Sequence, residues 1–209
     1  TYTYVGQSII MRASLLSTLS KKAGKVVQTR DISVGTNMMA SSDVTLQKSR
    51  PWYASDAEGS ILAKDNAVTM KDLFEGKTVA LFGVPAPFTG TCTNEHYPPY
   101  KTLAEDFKKQ GIDEIVCYSV SDPYALHGWS VALKNDPAHI TFLADLGAEF
   151  AKKFGVDAVY DDASLGLRST RFSMIVQNGV VAALHNVEDA SKDAETLLTA
   201  ATSLKEKAA

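Results

Sequence analysis

Apolar residues along the chain fall into two patterns that alternate: short unbroken runs, and positions repeating at helical spacing. Lys77–Gly83 (KTVALFG) is a short β-rich apolar run closed by Gly-Val-Pro, which predicts a buried strand. Thr91–Lys109 follows, with Tyr100, Leu103 and Phe107 at helical spacing and Gly111 as a stop, and reads as a helix. Ile115–Val120 (IVCYSV) is apolar at consecutive positions, as in a sheet covered on both faces. Ser121-Asp122-Pro123 then supplies a cap and a first-turn proline for a helix over Pro123–Leu133. Ile140–Leu143 reads as a third strand and Leu146–Phe154 as a helix ended by Gly155. Arg171–Gln177 and Val180–Leu184 flank Asn178-Gly179, a strong hairpin signal, and Ser191–Lys207 closes the chain as a helix. Strand–helix three times, then a hairpin, then a helix predicts an α/β domain with a central mixed sheet and helices on both faces.

Composition changes this picture little. The 209 residues are 45% hydrophobic and 22% charged, ordinary for a globular protein. A net charge of −3 gives no reason to expect a nucleic-acid partner. No apolar run approaches the roughly 18 to 20 residues that span a bilayer, so a membrane-spanning segment is not expected. Charge placement is more telling. Residues 1–42 hold Arg12, Lys21, Lys22, Lys25 and Arg30 against Asp31 alone, a local net of +4, while the rest of the chain carries −7. From Met11, MRASLLSTLSKKAGKVVQTR is basic, rich in Ser and Leu, and free of acids. That is the composition of an organellar transit peptide, and equally of a solvated basic tail. The expected division is an extension over 1–43 and a folded domain over 44–209, with a mitochondrial address favoured over a plastid or cytosolic one.

Only two cysteines occur, Cys92 and Cys117, too few for a disulfide framework and at no zinc-binding spacing. Cys92 follows a strand and a Pro-containing turn, and falls in the first turn of a predicted helix. A side chain there faces unpaired backbone N–H groups and the positive end of the helix dipole, and both favour a thiolate. The plainer reading is an inert cysteine at a helix start. Cys117 lies mid-strand, where a small buried hydrophobe is the ordinary expectation. His96, four residues after Cys92, shares its helix face and either tunes the thiolate or simply packs.

Pro85-Ala86-Pro87-Phe88-Thr89-Gly90-Thr91-Cys92 fits the pattern P-x-x-x-T-x-x-C, and the chain resembles the atypical type-II (type-five) peroxiredoxins. His96, Pro98, the SVSDPY segment, Trp129 and GLRSTRFSMIVQNG extend the likeness from near Val68 to near Ala201. The resemblance implies a thioredoxin-like fold and a thiol-dependent peroxidase acting on hydrogen peroxide and organic hydroperoxides, with no metal, haem or flavin. It implies that Cys92 is the peroxidatic cysteine, that Thr89 hydrogen-bonds the peroxide, that Arg171 supports the thiolate, and that Pro85 shields the pocket from water. A homodimer through the loop around Pro87 and Phe88 is implied as well. Arg168 is the neighbour against which Arg171 must be distinguished, since an arginine here could equally form a surface ion pair.

Three departures from the family pattern stand out. The usual Gly-Ala after the proline is Ala86-Pro87, and the proline often found two residues before the cysteine is Gly90. The late cysteine that resolves the oxidised sulfur in some members has no counterpart in Leu184–Ala209. Cys117 is then the sole internal candidate for resolution, but a helix start and the middle of the next strand lie on the order of 10 Å apart, beyond the about 7 Å at which a disulfide closes. Glutathione with glutaredoxin, or a thioredoxin-like protein, is the alternative reductant. A role of another class, an accessory subunit of a larger assembly anchored through residues 1–50, also fits the basic extension. A thiol–disulfide oxidoreductase does not fit, because the chain has no C-x-x-C.

Overall fold

The consecutive apolar positions of the central strands resolve into the two faces of one sheet. The computed structural model describes residues 32–56 and 58–208, and the basic stretch Met11–Arg30 lies outside them. In chain order the elements are β1 (Thr45–Lys48), α1 (Leu62–Asp65), β2 (Ala67–Thr69), α2 (Met70–Phe74) and β3 (Thr78–Gly83). A π-helical turn (Cys92–His96) leads into α3 (Tyr97–Thr102) and α4 (Ala104–Lys109), followed by β4 (Glu114–Ser119), α5 (Pro123–Ala132) and β5 (Ile140–Ala144). Then come α6 (Glu149–Phe154), β6 (Asp157–Tyr160), β7 (Gly166–Ser169), β8 (Phe172–Gln177), β9 (Val180–Asn186) and α7 (Asp193–Ala208).

Seven strands form a sheet in the order β2-β1-β5-β4-β3-β8-β9, and β6 pairs with β7 apart from it. β3, β4 and β5 are parallel, while β8 runs antiparallel to β3 and β1 antiparallel to β5. The mixed sheet with helices on both faces is the predicted architecture. Along β3, Val79 and Leu81 point to one face, into a core with Phe74, Phe150 and Phe154. Ala80 and Phe82 point to the other, with Cys92, Tyr100, Trp129, Cys117 and Leu197. Strand side chains alternate faces, so one short apolar run serves two cores.

Local chemistry fixes the ends of these elements. Thr69 and Asp72 form a reciprocal capping box at the start of α2. Asp122 accepts hydrogen bonds from the N–H groups of Tyr124 and Ala125 and starts α5, with Pro123 in the first turn. Asn178 and Gly179 both take positive φ, 45° and 82°, which builds the tight β8–β9 turn.

Several expectations need correcting. The helix expected over Thr91–Lys109 is interrupted: it opens as a π turn and breaks at Leu103. Pro98 and Pro99 have no N–H to donate to the preceding turn, so Tyr97 N–H reaches Cys92 O and the turn widens. Leu146–Phe154 is helical only from Glu149, because Gly147 and Ala148 take left-handed backbone. The β1–β2 and β6–β7 pairs are not foreshadowed in the sequence; their strands are three or four residues each, too short to show a period. Residues 32–43, assigned above to the extension, lie against the domain: Met38 is fully buried and its N–H donates to Gly179 O, while Ile32 N–H donates to Phe154 O. The packed body therefore reaches back to Ile32.

Gly83 ends β3 just before the cysteine loop, and a Cβ there would fall 2.3 Å from the ring of buried Phe172. Gly83→Ala is expected to destabilise the protein by about 1–3 kcal/mol through overpacking. Gly90→Ala, with nothing within 4 Å, is expected to stay within about 1 kcal/mol. Urea unfolding of both variants checks the contrast.

Candidate active site

The loop between β3 and the π turn carries Pro85 to Thr91. Pro85 and Ala86 are buried; Phe88 takes φ 62° with its side chain 60% exposed. Positive φ in a bulky residue is rare, so the loop is held by its surroundings rather than by its own preference. Thr89 donates its hydroxyl to Ala86 O at 2.9 Å while its carbonyl accepts from Thr93 N–H at 2.9 Å. Cys92 therefore falls in the first helical turn, as the sequence predicts, and it is 1% exposed. The helix is anchored laterally: Trp129 Nε1 of α5 donates to Thr93 Oγ1 at 3.1 Å, and Tyr97 donates to Asn135 Oδ1 at 2.9 Å.

Arg171 reaches this turn from the residue before β8. Its Nη2 donates to Cys92 Sγ at 3.4 Å, and its Nη1 lies 2.9 Å from His96 Nδ1. The other side of the His96 ring meets Asp193 Oδ2 at 2.8 Å. Asp193 also accepts from Tyr100 Oη at 2.6 Å and from Ser173 Oγ at 2.6 Å. A continuous line of hydrogen bonds thus runs from sulfur to guanidinium to imidazole to carboxylate. Arg168 takes no part, because its guanidinium is committed to the carbonyls of Leu165 and Val120.

These partners set protonation. Burial lowers the pKa of His96, outweighing the raising effect of Asp193, and Arg171 lowers it further. Burial raises the Asp193 carboxyl, but hydrogen bonds from His96, Ser173 and Tyr100 bring it below the ordinary 3.8. Tyr100 is pushed well above 10.0 by burial and by the Asp193 charge. Cys117, central in β4 and 0% exposed, has its thiol pushed well above 9.0 by burial, with Cys92 adding to the effect. Both cysteines are free.

Comparison with known proteins settles the family. Residues 48–198 match the Redoxin family. The chain is 40% identical over 154 residues to a protein named Peroxiredoxin-2F, mitochondrial, from Arabidopsis thaliana, covering 74% of this chain and 73% of that one. It is 33% identical over 192 residues to the Oryza sativa subsp. japonica protein of the same name, covering 90% and 93%. The protein belongs to the type II peroxiredoxins of the Redoxin family. The crystal structure of reduced Prx3 in complex with H2O2 from Vibrio vulnificus superposes with a TM-score of 0.67 at 33% identity, covering 81% of this chain and 96% of that one. The fold is thus the thioredoxin-like peroxiredoxin fold, and the family is one of thiol peroxidases.

Of the residues singled out from sequence, Cys92, Arg171 and His96 are in a direct line of contact. Pro85 and Thr89 lie on the loop that leads into the same turn. Cys117 shares the apolar cluster of Cys92, and among the described residues its thiol makes no hydrogen bond to the site. Sequence reasoning missed Asp193, Tyr100 and Ser173 as parts of the site. Tyr100 had a signal, being four residues after His96 on one helix face; Asp193 had none, since acids commonly open helices.

The charge state of His96 gives a testable pH dependence. Its folded pKa lies below the ordinary 6.5, so below about that pH the unfolded chain binds a proton that the folded site does not, and stability falls. Asp193, depressed below 3.8, contributes its own loss only at lower pH. Between pH 7 and 5, wild type is expected to lose more unfolding free energy than His96→Gln, as read from urea titrations at both pH values.

Proposed function

We propose that Cys92 is the peroxidatic sulfur, reducing hydrogen peroxide and organic hydroperoxides. The observation that carries this reading is the Arg171 guanidinium at 3.4 Å from Sγ, a permanently charged donor that a thiolate accepts better than a thiol does. The thiolate attacks the terminal peroxide oxygen, an S–O bond forms and the O–O bond breaks. Sulfur is oxidised by two electrons to the sulfenic acid, and the departing RO⁻ takes a proton to leave as alcohol or water. Negative charge moves from sulfur onto the departing oxygen, and Arg171 stands where it can follow that charge. The Thr89 hydroxyl, already donating to Ala86 O, keeps lone pairs to accept the peroxide's O–H. Buried Pro85 walls the site from bulk water. The H2O2 in complex with the Vibrio vulnificus relative supports this substrate class.

External thiols return the sulfur to its starting state. A first thiol condenses with the sulfenic acid, releasing water and leaving a mixed disulfide. A second thiol displaces Cys92 and departs as the disulfide. Glutathione with glutaredoxin, or a thioredoxin-like protein, fills this role. Cys117 is disfavoured because it is fully buried, with β3 and β5 hydrogen-bonded on either side of its strand. A homodimer at the face of the active-site loop, where Phe88 is exposed, rests on the family resemblance. An accessory role anchored through residues 1–50 draws less support, since residues 32–50 pack within their own domain. A mitochondrial location is supported by the names of the two plant relatives and by the acid-free basic stretch Met11–Arg30.

Peroxide consumption with each reductant tests the reading. Cys92→Ser is expected to abolish turnover, and Arg171→Met to slow it by about 10²- to 10³-fold. Cys117→Ala is expected to retain activity. Loss of turnover in Cys117→Ala, with a Cys92–Cys117 disulfide in the oxidised wild type, would reverse the assignment of the reductant.

A further inference from the structure

Arg171 poses a positional problem. Its side chain is long and half-buried, and it makes no ion pair with any carboxylate among the described residues. Among the described residues, what holds the guanidinium beyond the sulfur itself is one neutral acceptor, His96 Nδ1. Arginine has donors only, so Nδ1 must present a lone pair, and the ring proton must sit on Nε2. In the other tautomer, or in the doubly protonated ring, two N–H groups would face each other at 2.9 Å and Arg171 would be driven off.

Asp193 removes the choice. Its carboxylate, 3% exposed, lies 2.8 Å from Nε2 and, being ionised, accepts only. A proton on Nε2 is required there for the same reason that a lone pair is required on Nδ1. Asp193 is in turn fixed on both oxygens: Ser173 donates to Oδ1, Tyr100 and His96 to Oδ2. The charged and titratable groups facing His96 are therefore Asp193 from α7, Arg171 ahead of β8 and Tyr100 from α3; Phe82 of β3 contributes an aromatic edge at 5.2 Å, and Cys92 of the same turn meets Arg171 rather than the ring. Among the described residues the carboxylate pairs with no lysine or arginine, and its hydrogen bonds reach neither sulfur nor guanidinium.

We propose that Asp193, the first residue of the last helix, is a positioning residue for peroxide reduction: it locks the His96 tautomer that aims Arg171 at Cys92. The inference rests on the peroxidase reading above, and extends the site to a residue 97 positions beyond His96. Its physical form is that of a carboxylate orienting an imidazole, with the imidazole here holding an arginine rather than moving a proton. It also ties α7 to the chemistry, so that this helix is held to the active-site turn by the same hydrogen bonds that orient the guanidinium.

A carboxylate that merely packs α7 against the domain would predict something different, and the two are separable. Asp193→Asn keeps the shape but removes the charge, so that the ring is no longer bound to one tautomer. Oxidation of the reduced protein by hydrogen peroxide, followed by stopped flow, is expected to slow by about 10- to 100-fold, the size of effect when a group that orients a working residue is lost. In an Arg171→Met background the same change is expected to cost nothing further, because the group it positions is absent. Losses that multiply in the double variant would overturn the proposal, as would a single variant reacting at the wild-type rate. The wild-type protein supplies a second readout that no folding defect can obscure. The ¹⁵N shifts of His96 at neutral pH are expected to show a protonated Nε2 and a bare Nδ1. A proton on Nδ1 would overturn the proposal. Wild type that does not react with peroxide at all would instead bring down the peroxidase reading, with the tautomer result still standing for the geometry.

Discussion

The Arg171 guanidinium, held against the Cys92 sulfur at 3.4 Å, sets what the strands and helices around it must do. Arginine keeps its charge at any relevant pH, but its side chain is flexible and ordering it costs up to about 2 kcal/mol of rotamer freedom. The protein offsets that cost with two contacts, Sγ at 3.4 Å on one nitrogen and the His96 lone pair at 2.9 Å on the other. Neither contact is strong alone. Both require that a helix start, a strand end and a helix beyond the sheet arrive at one place.

The sheet order provides this. β3 lies between β4 and β8, so the loop leaving β3 and the residue entering β8 are neighbours, and Cys92 and Arg171 come together from 79 residues apart. The helices carrying His96, Tyr100 and Asp193 cover the same face, where Phe82 stacks on Tyr100 at 3.9 Å. Buried polar groups are costly unless satisfied, and a fully connected network is the condition under which they are kept. Asp193, Tyr100, Ser173 and His96 meet that condition through one another. A large apolar face thus encloses one polar line, and that line ends at the sulfur.

Much of this was legible in the sequence because buried strands and helices write strong patterns. KTVALFG and IVCYSV are unmistakable as two-faced strands, and Asn178-Gly179 as a turn. The family motif singles out Cys92, Thr89, Pro85 and Arg171, and helical spacing from Cys92 singles out His96; of these, Cys92, His96 and Arg171 meet in the structure. The widened π turn was not found, although two adjacent prolines, Pro98 and Pro99, carried its cause. Asp193 was invisible for a deeper reason. Burial of a charge is a tertiary fact, decided by Tyr100 and Ser173 from elsewhere in the chain, and the local sequence SKDAE reads as an ordinary exposed helix start. The short β6–β7 pair escaped because four-residue strands are set by their partners more than by their own pattern.

If Cys92 and not Cys117 is the sulfur that peroxide oxidises, the oxidised sulfur can be caught in the act. Reduced protein is treated with an equivalent of hydrogen peroxide in the presence of dimedone, which traps sulfenic acid, and the adduct is mapped by mass spectrometry. The adduct is expected on Cys92, with Cys117 remaining a free thiol. An adduct on Cys117, or an untouched Cys92, would contradict it.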